Sequence, residues 1–387
     1  RDAVHELADP DRYDAVVVTN LCVPTASGVP LRLLPKQING VRIVGIDVPG
    51  FGVPTHAEAK DVLAGAMLAY ARAEAEAGPV LRPTGQKPGR RPTLTLLGEI
   101  FPADPVAISQ LIDPLGLDVG PVVPTREWRE LYGALDCAAV AAIHPVYTRS
   151  VRDFEAAGRP IIGSAPVGRD GTAAWLEAVG DTLAIAPDKV AAAQNQALPA
   201  IQAVLGKSPI DARITLSGYE GSELLVARLL AEAGADVRYV GTACPRTRCW
   251  SDADRAWLEA RGTVVKYRAS LEDDVAAMDA FDPDLVIGTT PVVQKAKQKA
   301  IPALYFTNLI SARPLFGIPG AGALAQVING ALASRDRSEK MRVFFTGVGA
   351  GDTAGIWEDK PAPPPAGKKV RAPRSVDPTS QGGAIGC

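Results

Sequence analysis

Short β-branched runs alternate with longer Ala- and Leu-rich stretches of helical period along most of the chain. Ala15-Val16-Val17-Val18-Thr19 is too continuously apolar to have a wet face, which predicts a strand covered on both sides. A second strand is predicted at 41–46, then a helix over about 55–76. Another series begins at 93–97, with strands to follow at 140–143 and 160–162. A third opens at 213–216 and continues regularly: helix 219–233, strand 237–240, helix 251–261, strand 264–267, a short helix, then strands 285–288 and 303–306. Strand–helix alternation of this kind predicts an α/β fold of three Rossmann-like domains, each a parallel sheet flanked by helices.

Two breaks set the expected boundaries. Residues 78–92 collect proline, glycine and basic residues without periodicity and read as a linker or exposed loop. Residues 187–205 form a long Ala/Gln-rich helical pattern, ended by Gly206-Lys207-Ser208-Pro209, and read as a connector. The expected domains are therefore 1–80, 81–205 with the connector helix, and 206–357. The Pro-, Lys- and Gly-rich stretch 358–387 buries too little to order itself and is expected to be a disordered tail.

Composition removes several function classes. Of 387 residues, 47% are hydrophobic and 22% charged, which is globular. Lys+Arg numbers 41 against 43 Asp+Glu, a formal charge of −2, so a strongly basic nucleic-acid binder is excluded. Aromatics at 5% argue against base-stacking platforms. Five scattered cysteines describe no disulfide framework and predict a reducing, cytoplasmic setting. No apolar run reaches the ~18–20 residues that span a bilayer. Residues 1–6 resemble neither a signal peptide nor a natural start, and the chain is read as an N-terminal truncation.

Cys22 stands out among residues able to carry chemistry. It lies just past the end of the first predicted strand, in Asn20-Leu21-Cys22-Val23-Pro24, where open α/β sheets place their sites. A thiolate there suits a soft metal or an iron–sulfur cluster, while a buried structural thiol is the alternative. Cys244-Pro-Arg-Thr-Arg-Cys249 lacks a second Cys or His pair and is read as a solvated loop. Gly320-Ala321-Gly322-Ala323-Leu324-Ala325 fits the dinucleotide fingerprint only formally, because no strand turns directly into it. Gly347-Val348-Gly349-Ala350-Gly351-Asp352 is read as an irregular turn. Asp104, Glu155, Asp170 and Glu220 are expected at strand–helix junctions or in early helical turns, complementing helix N-terminal charge. No residue declares itself catalytic.

Longer runs carry a resemblance. Leu21-Cys22-Val23-Pro24-Thr25-Ala26-Ser27-Gly28-Val29-Pro30 is followed by Asp47-Val48-Pro49-Gly50-Phe51-Gly52, and later by Tyr219-Glu220-Gly221, Asp282-Pro283-Asp284 and Gln298-Lys299-Ala300-Ile301-Pro302. In that order they resemble the catalytic subunits of the nitrogenase component 1 type. Gly288-Thr289-Thr290-Pro291-Val292-Val293-Gln294-Lys295-Ala296, Tyr305 to Leu315 and Val348 to Trp357 are particularly similar to the branch that reduces chlorophyllide a. The resemblance covers about 10–360.

It implies a subunit of bacteriochlorophyll biosynthesis that pairs with a Z subunit as a Y2Z2 heterotetramer. A [4Fe–4S] cluster is shared across that interface, and a separate ATP-dependent iron–sulfur protein supplies the electrons. The C7–C8 double bond of chlorophyllide a is the expected target. It makes 1–80 the remainder of the cluster-binding domain, Cys22 a metal ligand, and a segment before Arg1 the source of further cysteine ligands. A flat ring needs a pocket between domains, and small residues let it approach closely. Asn308 and Ser311 offer hydrogen bonds, Arg313 a fork for a propionate or a tie to a helix end, and Gly317 and Gly322 room for the ring. A protochlorophyllide reductase subunit is the alternative within the family, and a nucleotide-sugar glycosyltransferase the alternative outside it.

Overall fold

The computed structural model describes residues 2–53, 55–78, 90–98, 104–244, 251–311 and 313–344. Most of the predicted linker, Cys249, the turn at 347–352, the run 348–357 and the tail 358–387 lie outside these residues.

Among the described residues, three sheets are present within one unit, Arg1–Glu339. The first has the order β1 (Ala15–Asn20), β3 (Val41–Asp47), β2 (Gln37–Ile38). β1 and β3 run parallel, as their unbroken apolar runs predict, but β2 is antiparallel to β3. The sequence reading missed β2, which departs from an all-parallel domain. Its signal is Asn39-Gly40: both take positive φ, 52° and 86°, the geometry of a two-residue hairpin turn.

The second sheet has the order β5 (Asp118–Val123), β4 (Thr93–Leu97), β6 (Ala139–Ala142), β7 (Ile161–Ile162), all parallel. β5 also escaped prediction, because Gly120-Pro121 reads as a breaker. It lies at the sheet edge, where a proline removes no ladder hydrogen bond. The third sheet is the fullest: β10 (Val264–Tyr267), β9 (Asp236–Thr242), β8 (Arg213–Ser217), β11 (Leu285–Gly288), β12 (Ala303–Tyr305), again all parallel. Its chain order reverses direction between β8 and β11, which opens a crevice at their carboxyl ends.

The predicted connector is the helix Pro187–Lys207. Ala193, Ala197, Ile201 and Leu205 recur at helical spacing and are buried in one core with strands of the second and third sheets. A second core joins Val44 and Ile46 of β3 to the helix His56–Ala77 and to the second sheet's helices. Thr55 and Glu58 close a reciprocal capping box at the start of His56–Ala77. Further along, Asp61 is buried and accepts from the backbone N–H of Arg149 and Ser150, each at 2.8 Å, and from Ser150 Oγ at 2.7 Å. That carboxylate caps the neighbouring helix Thr148–Ala156 and fixes the first layer against the second.

Of the predicted capping carboxylates, Asp104 caps Pro105–Ile112 through the N–H groups of Val106 and Ala107. Asp170 lies in the first turn of Gly168–Thr182 and also accepts from Trp257 Nε1. Glu155 departs from expectation: it lies near the end of Thr148–Ala156, because the helix begins seven residues earlier. Glu220 sits outside its helix, which starts at Glu223.

Candidate functional site

Cys22 follows β1 and opens the short turn of helix Cys22–Ala26. Its loop is pinned by Asn20, whose Nδ2 donates to Val29 O and to Asp47 Oδ1, both at 3.0 Å. Thr25 Oγ1 adds a bond to the same Asp47 oxygen at 3.3 Å. The Cys22 thiol is exposed, and the Gly50 N–H donates to its Sγ at 3.2 Å. Leu21, Val23 and Phe51 around it are 60%, 75% and 69% exposed, an unusual amount of apolar surface for one turn.

An exposed sulfur receiving an N–H bond meets what an iron–sulfur cluster asks of one ligand. One thiol fills one of four positions, and among the described residues no group of three His, Cys, Asp or Glu could hold a metal ion. Cys137 and Cys244 are buried, and burial pushes both thiols up, so neither offers a thiolate.

At the carboxyl edge of the third sheet lie two adjoining clefts that share Gly218 and Tyr219. One, of about 550 Å³, sits over the β8–β11 crevice and is lined by Glu220, Thr289, Tyr305, Thr307 and Asn308 among others. The other, of about 370 Å³, runs from Ala243, Arg268 and Asp274 beside the third sheet to Thr55 and Glu58 at the start of His56–Ala77. Both volumes suit an organic ligand.

The loop between the clefts is held by Glu223, fully buried in the first turn of Glu223–Glu232. Its Oε1 accepts from Glu220 N at 2.8 Å and Gly221 N at 3.0 Å. Its Oε2 accepts from Thr242 Oγ1 at 2.6 Å and Ala243 N at 3.3 Å. Burial raises its pKa and these bonds oppose the rise. A Cβ on Gly218 would stand 2.6 Å from Glu223 Oε1, so the loop needs a bare backbone there. Beneath it, His144 is buried at the end of β6, and its imidazole approaches Gly221. Burial, helped by the Lys60 charge, pulls its pKa down to about 3, so the ring is neutral. Sequence reading passed over both residues: Glu223 reads as an ordinary first-turn acid and His144 as a stray histidine.

The residues predicted to meet a flat ring divide. Asn308 lines the larger cleft. Ser311 Oγ donates to Asn308 O at 3.4 Å, and Arg313 Nη1 donates to the carbonyls of Asn308 and Leu309 at 3.4 and 3.3 Å. Both side chains therefore tie off the end of the helix Phe306–Ile310. Gly317, at φ 58°, packs on Leu111, where a Cβ would stand at 3.3 Å. Gly322 packs on Val204 of the connector helix, where a Cβ would stand at 2.8 Å. The two glycines make close helix contacts rather than lining either cleft. Arg268 and Asp274, unmentioned by the sequence reading, line the smaller cleft instead.

The family described as nitrogenase component 1 type oxidoreductase matches residues 1–333. Over 361 residues the chain is 73% identical to the chlorophyllide reductase 52.5 kDa chain of Cereibacter sphaeroides, covering 93% of this chain and 72% of that one. It is 68% identical to the protein of that description from Rhodobacter capsulatus, with the same coverage. A solved structure, "Nitrogenase Cp1 at pH 6.5", superposes with a TM-score of 0.65 at 16% identity, covering 88% of this chain and 79% of that one, which shows the shared fold.

Proposed function

The chain belongs to the nitrogenase component 1 type oxidoreductases, and from that premise we propose that it is one catalytic subunit of a chlorophyllide reductase. The likeness along 93% of the chain to chlorophyllide reductase chains is the observation that carries this reading. The exposed Cys22 on an apolar surface and the clefts on the third sheet support it.

In this reading the apolar surface of Leu21, Val23 and Phe51 packs against a second, Z-type catalytic subunit in a Y2Z2 assembly. Cys22 is this chain's described ligand to a [4Fe–4S] cluster shared with that subunit, and the Gly50 N–H stabilises the ligated sulfur. Such a cluster, charged by an ATP-dependent iron–sulfur protein, supplies electrons singly at low potential. The flat ring of chlorophyllide a lies across Gly218 and Tyr219 between the two clefts, with its C7–C8 bond as the one reduced. Tyr219, half exposed, gives the ring an aromatic face, and the Glu223 staple keeps the loop from yielding. Arg268 presents a cation to the ring's carboxylate, a task that Arg313 is poorly placed for while it serves two backbone carbonyls.

No helix among the described residues is long and apolar enough to cross a membrane, and a cytoplasmic assembly is proposed. The test is anaerobic turnover of the assembled complex with reduced iron–sulfur donor and ATP, on chlorophyllide a and on protochlorophyllide. Reduction of chlorophyllide at C7–C8 is expected. Reduction of protochlorophyllide alone would transfer the chain to the other branch of the family.

A further inference from the structure

Among the described residues, four buried carboxylates and the half-buried Glu232, whose side chain is 7% exposed, can be compared by what holds each charge. Asp61 accepts from two backbone N–H groups and a serine hydroxyl. Glu223 has three N–H groups and a threonine hydroxyl. Glu232 and Asp254 both pair with Arg228, at 3.4 and 2.6 Å, and Glu232 also receives the N–H groups of Arg169 and Asp170. Backbone N–H groups or an arginine hold each of these four in place. Asp274 differs. It is 5% exposed, receives no backbone N–H, and has no cation within ion-pair distance. Its strong donor is the Tyr239 hydroxyl, 2.9 Å from Oδ1. It is also the one of the five on the wall of the 370 Å³ cleft.

The local construction keeps Asp274 in that position. Helix Leu271–Phe281 starts at a capping box formed by Ser270 and Asp273, which sets the Asp274 side chain against β9. A Cβ on Gly241 would overlap Asp274 Oδ1, so this strand position must be glycine for the carboxyl to fit. The charged groups around it are otherwise engaged: Asp273 on its own helix pairs with Lys266 of β10 at 2.6 Å, and Glu58 across the cleft is closed in its capping box. Arg268 lines the same cleft from the end of β10. Burial, helped by the Asp273 charge, raises the Asp274 pKa more than the Tyr239 and Ser217 hydroxyls and the Lys266 charge lower it.

Resting on the reading that the clefts hold the ring, we propose that Asp274 is the acid that delivers one of the two protons consumed when the ring's carbon–carbon double bond is reduced. Two electrons come from the iron–sulfur donor. The Asp274 O–H bond breaks as one C–H bond forms, water supplies the second proton, and the resulting carboxylate is reprotonated by water entering the cleft. Tyr239, its own pKa pushed up by burial and by the Asp274 charge, stays protonated and steadies that carboxylate.

The experiment uses the assembled complex, with chlorophyllide binding followed by absorbance and turnover measured across pH. Asp274→Asn is expected to bind chlorophyllide within about threefold of wild type and to lose about 100-fold or more in turnover, the scale of general acid catalysis. Tyr239→Phe, which removes a bond to the charged form, is expected to remain active and to move the alkaline limb of the rate profile to higher pH. Turnover near wild type in Asp274→Asn, or an unmoved alkaline limb in Tyr239→Phe, overturns the acid assignment. A cleft-filling Ala243→Trp separates this from failure of the site itself. It should abolish ring binding, and wild-type affinity in that variant would show that the ring lies elsewhere, leaving Asp274 without a substrate to protonate.

Discussion

The first and third sheets use the same alphabet of valine, isoleucine and leucine to opposite ends. In the third sheet, β11 is buried at every residue and β8 at all but its first. The acids beneath its carboxyl edge are matched by named donors. In the first sheet β1 is buried only at Asn20, although its sequence is as apolar as β8. Val17 is 39% exposed, and the residues flanking Cys22 are more exposed still. An apolar strand left open costs solvation free energy unless something covers it. The contrast teaches that apolar runs announce covered strands, while the covering itself can lie outside the chain.

The largest effect expected from breaking this contrast is in the third sheet. Leu216→Ala, in β8 at 1% exposure, should cost about 2–5 kcal/mol in urea unfolding. Val23→Asp, at 75% exposure, should change stability by less than about 0.5 kcal/mol. The same substitution should abolish co-purification of the partner subunit. A Val23→Asp chain that still assembles would remove the interface from this surface.

Next in size is the tie between the layers. Asp61→Ala leaves the buried N–H and hydroxyl of Ser150 and the part-buried N–H of Arg149 without this acceptor and should cost about 2–3 kcal/mol by chemical denaturation. A loss below about 0.5 kcal/mol would mean that water takes over the cap.

A smaller, pH-dependent effect belongs to His144. Unfolded, the imidazole gains a proton below about pH 6.5, whereas the buried ring stays neutral down to about 3. The unfolded state therefore binds more protons in that window, and stability falls with decreasing pH by up to about 1.4 kcal/mol per unit. His144→Gln should flatten this slope between pH 6.5 and 4, and an unchanged slope would assign the acid sensitivity to other groups.

Much of this organisation was legible beforehand, for reasons that particular residues make plain. β8 and β11 could be placed because buried parallel strands are apolar at consecutive positions. β2 could not, since two residues are too few for a period and the Asn39-Gly40 turn is the stronger signal. Cys22 was singled out as a candidate because a strand end and a thiol coincide in the sequence. Glu223, Asp274 and Arg268 were not, because their significance arises when the carboxyl ends of separate strands meet. Arg313 shows the converse: a suitable fork in the right loop, engaged by the carbonyls of its own helix.

The central claim is that the open first sheet carries a cluster ligand at Cys22 while the closed third sheet carries the ring. Iron and acid-labile sulfide analysis of the complex, with Cys22→Ser beside wild type and with Cys137→Ser as a buried-thiol control, tests it most directly. Cys22→Ser should assemble and fold yet lose cluster iron and reduction activity, while Cys137→Ser keeps both. Full iron content and wild-type activity in Cys22→Ser would contradict the account.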